Sequence, residues 1–160
     1  AFYEAVYGLP YTVLRYANVY GPRQDPHGEA GVVAIFSQRL LAHEPVMING
    51  EGEQTRDFVY VEDVVRANVL AVTTELRGIY NVGTGIETSV NVLYAYVAKH
   101  ARSTQVPQHG PPKAGEQQRS VLDYGKLQAA TNWRPTVLLD EGLQRTVAFF
   151  AEPGLRRKTT

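Results

Sequence analysis

Three polar side chains stand where apolar, strand-like runs stop, and strand ends are where α/β proteins keep their ligands. Asn18 follows Leu14-Arg15-Tyr16-Ala17, Asn49 ends Val46-Met47-Ile48, and Arg56 opens the run through Phe58-Val59-Tyr60-Val61. Arginine presents a planar fork of donors that matches the oxygens of a phosphate or pyrophosphate. A carboxylate can fill the same fork, and Asp57 and Glu62 are close at hand in the sequence. Asn18 offers either a ligand contact or a buried amide that pins loop backbone. Lys113 and Arg119, beside Glu116, read either as an anion contact or as a solvated loop.

Other chemistries fail on spacing. His27, His43, His100 and His109 form no H-x-x-x-H pair and have no carboxylate at ligand distance along the chain, so no metal site is expected. With no cysteine, thiolate ligands and disulfides are excluded. Gly83-Thr84-Gly85 follows an apolar run, but Thr88 stands where the third glycine of a dinucleotide loop belongs, which leaves a plain turn. Neither a Walker lysine nor a G-x-S-x-G nucleophile elbow occurs. Tyr-x-x-x-Lys is absent too: Lys99, Lys113, Lys126 and Lys158 are preceded four residues earlier by Ala95, His109, Leu122 and Gly154.

The 160 residues are 44% hydrophobic and 20% charged, with 16 basic residues against 16 acidic ones. That is the composition of a globular chain long enough for a core. Zero formal charge gives no footing for nucleic-acid binding, and the apolar runs are too short for a membrane span. No secretory h-region occurs either, and the expected location is cytoplasmic.

Positioning the polar groups falls to alternating strands and helices. Ala1 to Tyr7 reads as the last turns of a helix stopped by Gly8 and Pro10. Tyr11–Tyr20 is expected as one core strand, and Gln24–Gly31 as a polar loop. A helix carrying Val33, Phe36 and Leu40 should end before Pro45. Strands are expected at 46–48, 56–61 and 79–82. A helix begins near Asp63 with Val61, Val64, Val65, Val69 and Val72 inward. Val90, Leu93 and Val97 mark another. Residues 105–140 hold small elements of an attached lobe, with Asp123 and Asp140 capping two helices. Residues 151–160 read as a polar tail. The alternation predicts an α/β fold.

Taken together, LRYANVYGPRQ, VMINGEGEQTRDFVYVEDVVRA, YNVGTGIETSV, PPKAGE, LDYGKL and NWRP form an ordered series. The series resembles the C-terminal half of the NAD-dependent epimerase/dehydratase family, the extended short-chain dehydrogenases/reductases. Its closest-looking members are the UDP-glucose 4-epimerases. The resemblance spans Tyr3 to Phe150. It implies the C-terminal part of a Rossmann-type NAD-binding sheet interleaved with a small α/β nucleotide-sugar lobe over residues 1–150. It also implies NAD as cofactor, a UDP-sugar substrate and a homodimer. By the same resemblance Tyr16 lies against the nicotinamide, Asn18 touches sugar or phosphate, and Met47 to Asn49 hold the uracil through backbone groups. Arg56 grips the diphosphate, which favours the ligand over the surface ion pair, while Lys113 and Glu116 reach diphosphate and ribose.

Departures accompany the match. Lys113 replaces a frequent Arg, Glu116 a frequent Asp, Ala17 a frequent Phe, and Gly31 stands near a frequent Asn. The family's catalytic Tyr-x-x-x-Lys and glycine-rich loop belong to its N-terminal half, so the pair is expected upstream of Ala1 and no catalytic residue is expected within this span. The expected parent activity is interconversion of UDP-glucose and UDP-galactose through a 4-keto sugar. A nucleotide-sugar dehydratase, a UDP-glucuronate decarboxylase or a non-catalytic nucleotide-sugar-binding domain is the alternative.

Overall fold

The run from Tyr11 to Tyr20 forms two strands rather than one. In the computed structural model, which describes residues 2–26 and 31–152, β1 (Thr12–Tyr16) and β2 (Asn18–Tyr20) are separated by Ala17. The break is a change of partner. Ala17 N–H still donates to Val82 O at 2.9 Å, whereas Asn18 N–H donates to Asp57 O at 2.8 Å. Thus β1 runs parallel to β6 (Gly78–Val82), and β2 runs parallel to β5 (Phe58–Tyr60). Both strands are regular, so apolar periodicity alone could not show where the ladder is handed over.

The remaining elements follow in order. α1 (Phe2–Tyr7) precedes β1, and α2 (Val32–Leu41) ends with a turn before Pro45. β3 (Met47–Asn49) pairs in parallel with β8 (Gln108–Gly110), which joins the expected lobe segment to the body. β4 (Thr55–Arg56) is antiparallel to β7 (Thr88–Ser89). α3 (Val61–Thr73), α4 (Val90–Ala101), α5 (Gly125–Thr131) and α6 (Leu139–Ala151) complete the chain. The result is an α/β fold with a Rossmann-like set of parallel strands and a helical lobe, as the alternation predicts. Among the described residues, no helix is long and apolar enough to cross a membrane.

Two cores hold these parts. Phe36, Leu40, Leu93, Val97, Leu143 and Val147 bring α2, α4 and α6 together over Tyr20, Ile48 and Phe58. Val59, Val64, Ala67, Tyr80, Val82, Leu127 and Trp133 form the second, between α3, α5 and the β1–β6 end of the fold.

α3 keeps Val61 and Val64 of the expected face inward but turns Val65, Val69 and Val72 out. Val64 and Ala67 are buried, while Val65 and Val69 are each 53% exposed and Val72 is 86% exposed. Val65, Val69 and Val72 share the helical spacing of a buried face, but so do Val64, Ala67 and Ala71, and the alanines permit closer approach to the strands. Asp63 goes in with that face. Its carboxylate accepts from Thr136 N–H and Val137 N–H, both at 3.2 Å, from Thr136 Oγ1 at 2.9 Å, and from Arg66. Its backbone carbonyl accepts from Trp133 Nε1–H at 3.0 Å. Beyond a favourable charge in the first turn, Asp63 therefore anchors the 133–137 loop.

Neither expected cap holds its place. The cap position of α5 is Tyr124, which makes no side-chain cap bond, and Asp123, one residue earlier, accepts from Gly125 N–H at 2.7 Å. Asp140 caps nothing; it pairs with Lys99 at 3.0 Å and lies 2.7 Å from His100 Nε2, tying α6 to α4. The cap of α4 is Ser89, whose hydroxyl accepts from Val92 N–H at 3.2 Å. His27 and the tail from 153 to 160 lie outside the described residues.

Candidate anion-binding site around Arg56

Adjacent residues in a strand face opposite ways, and the Arg56-Asp57 dipeptide uses both sides. Asp57 points inward and is 1% exposed. Its two oxygens accept from Thr84 N–H at 2.9 and 3.0 Å, Thr84 Oγ1 at 2.6 Å, Gly85 N–H at 3.1 Å and Leu122 N–H at 3.2 Å. The turn at 83–85 is thus wrapped around a carboxylate. Gly83 is there because a Cβ would come within 2.5 Å of Asp57 Oδ2 and 3.3 Å of Ala17 Cβ. Gly85, at φ +73°, takes the left-handed conformation that glycine allows cheaply.

Arg56 points outward, with neither Asp57 nor Glu62 as its partner. Its Nη1 donates to Thr55 O at 2.8 Å and Gln117 O at 2.7 Å, and its Nη2 lies 3.2 Å from Glu116 Oε1. The two side chains of that ion pair are 19% and 21% exposed. Glu62 instead meets Arg145 at 3.1 Å. Strand alternation explains the correction for Asp57, and placement on the following helix explains it for Glu62.

The partners of Arg56 lie on one short segment. Thr55 N–H donates to Gln118 O at 2.8 Å, so residues 116–118 run beside β4 on the side away from β7. Lys113 begins the turn that delivers Glu116, through a 3.2 Å bond from Glu116 N–H to Lys113 O. Lys113 is exposed and forms no ion pair among the described residues. Glu87, just before β7, accepts from Thr55 Oγ1 at 2.7 Å and from Arg119 Nε and Nη2 at 3.0 and 2.6 Å. The hydrogen bonds from Arg119 and then Thr55 hold the Glu87 carboxyl down at about 2, against an ordinary 4.5.

Met47 and Asn49 reach the same neighbourhood by register. Met47 pairs with Gln108 and Asn49 with Gly110, two residues before Pro112, which packs under Gly50. Both side chains are exposed, and the Asn49 carbonyl accepts from the buried Gln54 at 3.0 Å. Asn18 is half-buried and joins the Arg56 strand through its bond to Asp57 O. Tyr16 stands apart. It is 45% exposed, and its hydroxyl donates to Asn68 Oδ1 on α3 at 2.9 Å, in a groove of about 610 Å³ that Leu14, Val72 and Leu76 also line. Sequence reasoning named Asp57 only as a candidate partner of Arg56, missing its inward role, and missed Glu87 and Gln54 altogether. For Asp57 the signal existed, since a residue next to an outward strand arginine must face inward.

Among the described residues there is no cluster of three or more His, Asp or Glu side chains that could hold a metal ion. What the arrangement can do is bind an anion. A planar guanidinium sits at a strand end, held by two carbonyls, with one carboxylate on it and, at the start of the adjoining turn, a lysine with no ion pair among the described residues.

These features define a Rossmann-like α/β protein whose Arg56 guanidinium sits at a strand end among two backbone carbonyls and one carboxylate. Residues 2–83 match the NAD dependent epimerase/dehydratase family, and the chain belongs to that family. It is 47% identical over 149 residues to a UDP-glucose 4-epimerase of Mycolicibacterium smegmatis, covering 92% of this chain and 48% of that protein. Its fold superposes with a TM-score of 0.88 on the UDP-glucose 4-epimerase of Thermotoga maritima solved with UDP-glucose, at 51% identity over 93% of this chain and 48% of that one. The Thermus thermophilus UDP-glucose 4-epimerase solved with NAD superposes with a TM-score of 0.86 at 46% identity, covering 93% and 49%. The chain spans about half the length of these relatives.

Proposed function

We propose that the chain is the C-terminal portion of an NAD-dependent UDP-glucose 4-epimerase, and that it binds the nucleotide diphosphate of a UDP-sugar. The observation that carries this is the Arg56 guanidinium, fixed at a strand end by Thr55 O and Gln117 O. Its fork is oriented before any ligand arrives, so little freedom is lost on binding. Support comes from the similarity to epimerases, one of which was solved with UDP-glucose.

In this reading Arg56 takes the diphosphate oxygens and Glu116 leaves the guanidinium as it does so. Lys113 adds a point charge, less directional than a second fork. Glu116, released, is an acceptor for ribose hydroxyls. Backbone groups from Met47 to Asn49 hold the base, and Asn18 lies toward the sugar.

The residues present fit one flank of a nicotinamide dinucleotide. Tyr16 ends the parallel strand β1, half-exposed, with its hydroxyl already occupied by Asn68 so that the ring face is what remains to offer. When bound, the dinucleotide supplies reversible hydride transfer at the sugar C4. The contribution of this chain is to hold the sugar nucleotide while the 4-keto sugar turns its other face. Proton transfer by a Tyr-x-x-x-Lys pair is assigned to the remainder of the enzyme, and the enzyme is proposed to work as a homodimer.

The test is made in the full-length polypeptide that carries this chain. UDP-glucose should be converted to UDP-galactose, and Arg56→Ala should weaken UDP binding by about 1.5–3 kcal/mol, the worth of charge-assisted hydrogen bonds. UDP affinity unchanged in the variant by calorimetry would overturn the site. Release of carbon dioxide from UDP-glucuronate, with no epimerisation, would overturn the reaction.

A further inference from the structure

The diphosphate site depends on a loop for half of its parts. Glu116 and the Gln117 carbonyl, which meet Arg56, lie on the segment 113–119, and Lys113 opens it. Little apolar burial holds that segment: residues 111–115 and 117–119 are all exposed. Its fixed points are polar. Thr55 N–H donates to Gln118 O, and Arg119 grips Glu87 through two parallel bonds of 3.0 and 2.6 Å.

Glu87 does not belong to the segment. It enters from the turn before β7, on the opposite edge of β4, and one of its oxygens also accepts from Thr55 Oγ1 at 2.7 Å. The carboxylate therefore reaches over β4 and joins its two neighbours. Its position is fixed from behind, because Thr84 and Gly85 are bonded to the buried Asp57. A turn fixed by a buried carboxylate, a second carboxylate on it, and an arginine on the exposed loop make a tether with one anchored end. The bidentate geometry matters, since it sets the direction of the segment as well as its distance.

Building on the diphosphate-site reading, we infer that the Glu87–Arg119 ion pair is a positioning device that holds the 113–119 segment across Arg56 and thereby sets the affinity for a diphosphate-bearing ligand. Neither residue touches the ligand. Both act through Glu116, Gln117 and Lys113. Without the tether the segment samples positions in which Arg56 lacks the Gln117 carbonyl and Lys113 is out of reach, and the apparent affinity falls in proportion to the competent fraction.

The experiment uses UDP as probe, in the full-length polypeptide, with variants Glu87→Gln, Arg119→Lys and Arg119→Gln, and Arg56→Ala as the site control. Glu87→Gln and Arg119→Gln should each weaken UDP binding about three- to tenfold. The Michaelis constant for UDP-glucose should rise by the same factor, with kcat within twofold and the melting temperature lowered only by the small amount that loss of a partly exposed ion pair brings. Arg119→Lys keeps the charge without the fork and should fall between parent and Arg119→Gln. If Arg56→Ala loses affinity while the Glu87 and Arg119 variants bind like the parent, the positioning role is wrong and the site stands. If Arg56→Ala binds UDP like the parent, or the parent binds no UDP, both fall. An affinity loss that disappears once binding is corrected for the fraction unfolded at the assay temperature, or that appears in kcat with the Michaelis constant unchanged, would also overturn the positioning role.

Discussion

Replacing Asp57 by alanine removes the acceptor that organises the middle of the chain. Four donors turn to its two oxygens: Thr84 N–H, Thr84 Oγ1, Gly85 N–H and Leu122 N–H, at 2.6 to 3.2 Å. A hydrogen bond to a charged group is worth about 1.5–3 kcal/mol, so a naive sum over four donors exceeds about 6 kcal/mol. Water lowers that figure. Gly85 is exposed and Thr84 and Leu122 are half-buried, so part of the lost bonding is recovered from solvent. We expect Asp57→Ala to destabilise the chain by about 3–4 kcal/mol and Asp57→Asn by about 2 kcal/mol, because the amide keeps one acceptor but turns N–H groups toward donors. Gly83 supplies an internal check. A Cβ there meets Asp57 Oδ2 at 2.5 Å and Leu122 Cβ at 3.0 Å, so Gly83→Ala should be costly in the parent and less costly once Asp57 is alanine. Equilibrium urea unfolding of the five proteins, parent, three single variants and the Asp57→Ala/Gly83→Ala double variant, reads all of these values. Asp57→Ala within about 1 kcal/mol of the parent, or strictly additive effects of the two changes, would refute the account of Asp57 as the buried hub.

Two further outcomes follow from surface groups. Glu87 has its carboxyl held near 2, so its ionised form favours the native state fully above its ordinary value of 4.5, and that contribution is lost as pH falls toward 2; the stability difference between parent and Glu87→Gln should be flat near neutrality and vanish across that acid window, and a difference that grows on acidification would contradict the tether. Phe2, Tyr3, Val6 and Tyr7 on α1 and Val65, Val69 and Val72 on α3 are exposed, so the isolated chain should associate as its concentration rises, and Val69→Glu with Val72→Glu should reduce this in sedimentation velocity; one sedimentation coefficient from micromolar to near-millimolar protein would show that these faces are inert.

The parts legible in the sequence were those set by neighbours along the chain. α2, α4 and α6 declare themselves through Val33, Phe36, Leu40, Leu93, Val97, Leu143 and Val147, whose spacing has one solution. α3 does not, because its valines populate two stripes and the choice is made by what lies beneath, where Ala67 lets the helix settle close. Nor could Ala17 be seen as a boundary. The strand keeps its pattern there and only its partner changes, from Val82 to Asp57. Asp140 has the residue type and place of a cap, yet Lys99 and His100, 41 and 40 residues away, compete for its carboxylate and take it.

The candidate site divides along the same physical line. Arg56 stands out locally beside an apolar run, but that leaves a ligand and an ion pair both open, and the family resemblance is what favours the ligand. What it touches could not be read locally, because Glu116 and Gln117 are 60 and 61 residues further along and arrive by loop rather than by ladder. Glu87 and Arg119 are 32 apart, and nothing in either residue's own surroundings pairs them. Only β4, two residues long, places them on opposite sides of one short strand. A site of this kind is specified twice. Strand periodicity decides which way Arg56 and Asp57 face, and long-range ion pairs decide what meets them. The second specification includes the half-buried Arg56–Glu116 pair, 19% and 21% exposed, which still reaches solvent. In the proposed reading Arg56 exchanges Glu116 for a diphosphate, and a fully desolvated pair would oppose that exchange, because parting it strands an uncompensated charge.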